Sequence, residues 1–165
     1  MTGPDLKQKN GEHPRSDVGQ QICLFIFLVV WVADSFFMRT STFLSGRVPL
    51  YVRLGILGVI LVTAVYLVRS GHTVAGHDRQ PQDVVTSGAF RHVRHPLYLG
   101  SVLTYLGLTI STASLLSLAV LVGIFVFYDY IAGYEERLLE ARFGEQYRRY
   151  KDRTGKWLPR VGGGR

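Results

Sequence analysis

The chain has 165 residues, enough for one domain and few for two. Apolar residues make up 47% of it and its net charge is +7, with a pI near 9.8. The charges collect in the first 20 residues, around positions 69–95 and after position 135, and the long apolar runs between them exclude an ordinary soluble globule.

The fold expected from this pattern is all-α: a multi-pass membrane protein of about four transmembrane helices, with a C-terminal helical hairpin and a cytoplasmic amphipathic helix. Residues 1–20 are polar, contain Pro4 and Pro14, and lack the basic-then-apolar arrangement of a secretory signal. They are expected to form a disordered cytoplasmic tail ahead of a membrane domain over 21–165. The first span is expected at 21–38, with Asp34 at the interface or facing the bundle. A second follows at 49–68, with Arg53 in its first turn able to snorkel toward headgroups. The third, 96–110, opens on Pro96, a residue suited to a first helical turn. "STAS" at 111–114 then makes a tight turn into a fourth span at 115–133.

Lysines and arginines orient these spans. The tail carries 3, the 69–95 loop 4 and the C-terminal segment 9, all on one face, against 3 in the first loop and none in the hairpin turn. The positive-inside rule puts both termini in the cytoplasm. Because the basic residues flank apolar spans, membrane lipids account for them and no nucleic-acid partner is expected. Beyond the fourth span, Leu139, Phe143, Tyr147 and Tyr150 form an apolar-aromatic stripe, predicting an amphipathic helix over 134–153 that lies on the membrane or against the cytoplasmic loop. Gly144 interrupts it and predicts a kink or a close packing contact.

Two polar groups converge in this scheme. Arg91, His92, Arg94 and His95 precede the third span, and Glu135 and Glu136 follow the fourth. A helical hairpin brings them to the same membrane side, within roughly 10 Å of each other. Cys23 is the only cysteine, so neither an intramolecular disulfide nor a cysteine zinc cluster can form. Five histidines are too few for a membrane di-iron centre, and no metal site is expected. Phosphate-binding glycine loops and nucleophile elbows are absent. The residues themselves thus define a small membrane protein with a polar surface site and leave its ligand open.

The segments "DVVTSGAFRHVRHPLYLG" (83–100) and "EERLLEARFGEQYRRYKDRTGKWLP" (135–159) resemble the isoprenylcysteine carboxyl methyltransferase and phospholipid methyltransferase superfamily. The resemblance implies an S-adenosylmethionine-dependent integral membrane methyltransferase that acts on a lipid-like or small apolar acceptor. By motif position it assigns the cofactor to Gln82, Asp83, Val84, Val85, Phe90, Arg94, His95, Pro96, Leu97, Tyr98, Glu135 and Glu136. Phe90 stands where the family usually has tyrosine. Methyl transfer from a sulfonium is an in-line displacement, so positioning suffices and no catalytic side chain is expected.

One departure bears on the acceptor. Carboxyl methyltransferases of this superfamily carry an arginine one helical turn before the first glutamate. Here that position is Ile131, and no Lys or Arg occurs between Arg94 and Arg137, so a prenylcysteine carboxylate is a doubtful acceptor. A lipid amine, an isoprenoid acid and a small thiol stay open. Asp129 and Ile131 are the candidate acceptor-side residues, Asp129 because an unpaired carboxylate in a span is expensive. An NADPH-dependent membrane reductase of the sterol type and a non-catalytic scaffold are the alternative readings.

Overall fold

The computed structural model describes residues 16–75 and 83–160, and among them the regular structure is helical, joined by short loops, apart from one isolated parallel bridge between Val93 and Gly155. Helix α1 spans Ser16–Val32 and continues as a π-helical stretch, Ala33–Met38. A short 3-10 turn at Phe43–Gly46 leads to α2, Leu50–Ala75. A second 3-10 turn at Gly88–Arg91 precedes α3, Pro96–Thr112. Helices α4, Leu115–Phe143, and α5, Glu145–Arg153, follow, and the described residues continue to 160 without further helix.

Three stretches are long and apolar enough to cross a membrane: Val18–Met38, Leu50–Thr73 and Leu115–Phe143. They turn Val59, Val62 and Val126 outward, as the apolar solvent of a bilayer allows. Helix α3 is different. Its 17 residues extend about 25 Å, short of the ~30 Å hydrocarbon core, and none of them is exposed. It is the central helix, screened by the other three.

Glycine makes that screening possible. A Cβ on Gly100 would lie 2.6 Å from Val68 Cγ2 and 3.1 Å from the Ala64 carbonyl oxygen, and one on Gly107 would lie 2.9 Å from Leu57 Cδ1. With hydrogens at these two positions, α3 approaches the α2 backbone closely at Gly100 and seats the α2 side chains Leu57 and Ile60 at Gly107, the usual device where no aqueous drive pushes helices together. On its other side, Tyr98 and Tyr105 of α3 pack with Phe27 of α1 and with Leu121, Ile124 and Tyr128 of α4.

The boundaries differ from the sequence expectation: the second helix, expected to end at 68, runs on to Ala75. Helix α1 begins at Ser16, within the stretch expected as tail; residues 1–15 lie outside the described residues, as does the C-terminal "VGGGR". Helix α4 does not stop at 133 but continues through Phe143, so the segment expected as one amphipathic helix is divided. Gly144 makes the division: its φ of +53° stops α4, and α5 starts afresh at Glu145.

The hairpin turn is equally local in origin. Ala113 takes the left-handed conformation, φ +54°, and Ser114 caps α4 by accepting from the Ser117 amide at 3.0 Å. Asp34 lies at this end. It is fully buried and accepts from Thr40 Oγ1 at 2.7 Å, Ser114 Oγ at 2.6 Å, the Ser41 amide at 3.1 Å and the Ser41 hydroxyl. The carboxylate therefore faces the bundle and ties the end of the first span to the start of α4. Arg53 faces inward too, its Nη1 donating to the Ser111 carbonyl at 2.7 Å.

Candidate functional site

At the opposite end of the α3–α4 hairpin the two sequence motifs meet. His95 is the residue before α3, Pro96 occupies its first turn, and Glu135 and Glu136 lie on α4. Arg94 Nε is 2.9 Å from Glu136 Oε1, and His95 Nε2 is 3.1 Å from the same oxygen. Tyr98, one turn into α3, donates its hydroxyl to Glu135 Oε1 at 2.5 Å, and His95 Nδ1 lies 3.9 Å from Glu135 Oε2. Helical geometry explains the division: Glu135 and Glu136 are 100° apart around α4, so one meets Tyr98 while the other meets Arg94.

The two glutamates thus differ in surroundings. Glu136 is held by Arg94 and His95, with Lys151 Nζ 3.7 Å away. Glu135 borders Tyr98 and the His95 ring. Burial pushes the His95 imidazole below its ordinary pKa; contact with Glu136 opposes this, while Lys156 and Arg94 reinforce it.

Arg94 is engaged inside the protein. Besides Glu136, its Nη1 donates to the carbonyls of Lys151 at 3.0 Å and Thr154 at 2.5 Å. One guanidinium thereby joins the start of α3, the flank of α4 and the end of α5, which a planar five-donor fork can do and a point charge cannot. The aromatic stripe also turns inward. Tyr147 is 2% exposed, and Tyr150 donates to the Phe90 carbonyl at 2.7 Å, so α5 packs against the motif loop. Burial raises the pKa of both phenols.

The remaining sequence candidates are distributed around this cluster. Pro96 is buried and Leu97 half-buried in the first turn of α3; Val84, Val85 and Phe90 are half-buried in the preceding loop. Asp83 accepts from Gln146 Nε2 at 3.2 Å, which ties the loop to α5. Gln82 lies outside the described residues. Ile131 is 2% exposed in the core beside Tyr128. Asp129 is not unpaired, the ground on which it was a candidate acceptor-side residue. Its carboxylate receives Lys156 Nζ at 2.5 Å and Trp157 Nε1 at 2.8 Å.

Sequence reasoning missed the segment that makes these last contacts. Thr154 and Gly155 are buried, and Arg94 donates its amide to the Gly155 carbonyl at 2.9 Å. A Cβ on Gly155 would overlap the Leu158 carbonyl oxygen, so only glycine fits. The available signal was "TGKWLP", a glycine and a proline bracketing a tryptophan after the last helix. Among the described residues no group of three His, Cys, Asp or Glu side chains could hold a metal ion.

These features define an integral membrane protein with a polar site at one end of its helical hairpin. The phospholipid methyltransferase family matches residues 50–146, and the chain belongs to this family of membrane methyltransferases. Among curated proteins it is 33% identical over 120 residues to methanethiol S-methyltransferase 1 of Bradyrhizobium diazoefficiens, covering 73% of this chain and 36% of that protein. It is 38% identical over 114 residues to the cobalt-zinc-cadmium resistance protein CzcN of Cupriavidus metallidurans, covering 68% of this chain and 51% of that one. The chain therefore spans between a third and about half of the length of these relatives. No solved structure matches it.

Proposed function

We propose that the chain is an S-adenosylmethionine-dependent methyltransferase whose site is the His95–Tyr98–Glu135 cluster, and that its acceptor is a small apolar thiol. The observation that carries the reading is the meeting of the two family motifs at that cluster: Tyr98 bonded to Glu135 at 2.5 Å and His95 packed beside both.

The donor set fits the proposed cofactor. An anionic side chain, Glu135, suits an α-ammonium group. The N-terminus of α3 suits an α-carboxylate, because a helix start favours anions. The rings of Phe90 and Tyr98 offer faces for an adenine or a sulfonium. Asp83, Val84 and Val85 border the same loop, and Pro96 and Leu97 set the backbone of the first helical turn. When bound, the cofactor supplies an electrophilic methyl group on sulfur. The chain's own part is to hold both reactants in line and to keep water out, which burial of His95 and Tyr98 serves. Glu136, locked by Arg94, fixes the orientation of the imidazole; it is a positioning residue.

The acceptor follows from what the span lacks and from a relative. Ile131 is buried where a carboxylate acceptor would need a cation, and no Lys or Arg lies between Arg94 and Arg137. A thiol has no carboxylate for such a cation to hold; as its sulfur takes the methyl group the S–H proton is released to water, leaving a thioether and S-adenosylhomocysteine. The name of the Bradyrhizobium relative, a methanethiol S-methyltransferase, supports this choice. We place the motif end in the cytoplasm by its excess of Lys and Arg, and read α3 as a fourth, short span sheltered by the other three.

Calorimetric titration of S-adenosylhomocysteine and of NADPH into the detergent-purified protein tests the reading. Saturable binding of S-adenosylhomocysteine and none of NADPH is expected. Binding of NADPH alone would move the chain to the reductases, and binding of neither to a folded sample would leave a scaffold.

A further inference from the structure

The segment from Thr154 to Trp157 lies beyond residues 50–146 that the family matches, and it crosses the flank of α4 as a strap anchored at both ends. At one end the Arg94 amide and guanidinium hold the Gly155 and Thr154 carbonyls. At the other, Asp129 takes Lys156 Nζ and Trp157 Nε1. Between these anchors the Trp157 indole is pinned, its centroid 5.9 Å from the His95 ring and 5.2 Å from Phe125. His95 is 7% exposed and belongs to the polar cluster, whereas Phe125 is 37% exposed on the apolar surface of α4. The indole thus stands between the site and the surface that faces lipid.

We propose that Trp157 is a specificity-determining residue that sets the length of the acceptor by closing this flank of the site to long alkyl chains. The proposal rests on the methyltransferase reading above. A short thiol occupies the space before the indole, while a long chain has to continue past it toward Phe125 and the bilayer. The ring cannot swing aside cheaply, because its N–H is bonded to Asp129, the Lys156 ammonium is bonded to the same carboxylate, and the Gly155 carbonyl is bonded to the Arg94 amide. Selection by a fixed wall acts by rejecting the longer competitor.

The test uses the full chain in lipid nanodiscs, labelled S-adenosylmethionine, and linear alkanethiols from two to twelve carbons. In the unaltered protein kcat/KM should fall about 100-fold from the shortest to the longest thiol, the scale that a closed apolar pocket imposes. Trp157→Ala should raise kcat/KM on the longest thiols relative to the shortest about 10-fold or more. Trp157→Phe keeps a ring there and should keep the short-chain preference. An unchanged chain-length profile in Trp157→Ala, or a uniform loss across the series, overturns the proposal.

A second readout separates this inference from the reading beneath it. Trp31→Phe leaves Trp157 as the only tryptophan. Titrating S-adenosylhomocysteine should then change its fluorescence saturably, with the midpoint found by calorimetry. Calorimetric binding with no change in emission overturns the placement of Trp157 at the site and leaves the methyltransferase reading standing. Absence of binding overturns that reading and the inference with it.

Discussion

Arg94 and Glu136, 42 residues apart in sequence, meet at 2.9 Å with their side chains only 9% and 8% exposed. Breaking such a buried pair by removing one partner leaves an uncompensated charge and costs about 3–5 kcal/mol. Arg94→Ala should therefore lower the unfolding temperature in detergent substantially. Arg94→Lys should recover only part of the loss, since an ammonium cannot reach Glu136, Lys151 and Thr154 together. A lysine variant as stable as the parent protein would show that the fork geometry is immaterial.

Much of this was legible in sequence, for physical reasons that can be named. Runs of apolar residues fix the existence of spans, and Pro96 and Ser114 mark where α3 and α4 begin. The hairpin then forces His95 and Glu135 to one end whatever the packing detail. Three features were not legible. The continuation of α4 past Gly133 depends on Tyr134–Phe143 keeping helical bonds while their charges leave the membrane, and charge pattern alone resembles a boundary. The strap depends on the Arg94–Gly155 and Asp129–Lys156 contacts, which join distant positions with no shared periodicity. The seclusion of α3 depends on Gly100 and Gly107 meeting α2, and a glycine in a sequence does not announce its neighbour.

His95 gives the fold a pH dependence with a definite sign. Burial lowers its pKa below the ordinary value of 6.5, with Lys156 and Arg94 adding to the effect against the opposing contact with Glu136. Between the folded value and 6.5 the unfolded chain binds more protons, so stability rises with pH across that window. The contribution is complete above 6.5 and declines as pH falls toward the folded value. Unfolding of the parent protein and of His95→Gln, compared from about pH 5 to 7, should show this slope in the parent alone. A parent protein that gains stability on acidification relative to the variant would reverse the assignment.

Asp34 predicts a loss of stability without a loss of binding. Its oxygens accept from Thr40, Ser41 and Ser114 while fully buried at the hairpin-turn end, far along α3 from His95. Asp34→Ala strands these donors, each at about 1–3 kcal/mol where water cannot replace the partner. The variant should unfold at lower temperature yet bind S-adenosylhomocysteine with the parent affinity. Weakened binding in a sample still fully folded would mean that the two ends of the hairpin are coupled.

The glycines divide into two kinds, and substitution should separate them by sign. At Gly100 a methyl group would meet Val68 Cγ2 at 2.6 Å and the Ala64 carbonyl oxygen at 3.1 Å. The valine methyl can rotate, but the carbonyl is backbone in α2 and can yield only if the helices part. Overpacking of this kind costs about 1–3 kcal/mol. Gly123 of α4 and Gly58 of α2 have nothing within 4 Å of a would-be Cβ, so alanine there adds helix propensity without a clash. The gain is up to about 1 kcal/mol on the aqueous scale. Thermal unfolding of Gly100→Ala, Gly58→Ala and Gly123→Ala should therefore show the first below the parent protein and the other two at or above it. If Gly100→Ala were neutral, the close approach of α2 and α3 would be looser than the packing of Ala64 and Val68 requires. The seclusion of α3 would then need another cause.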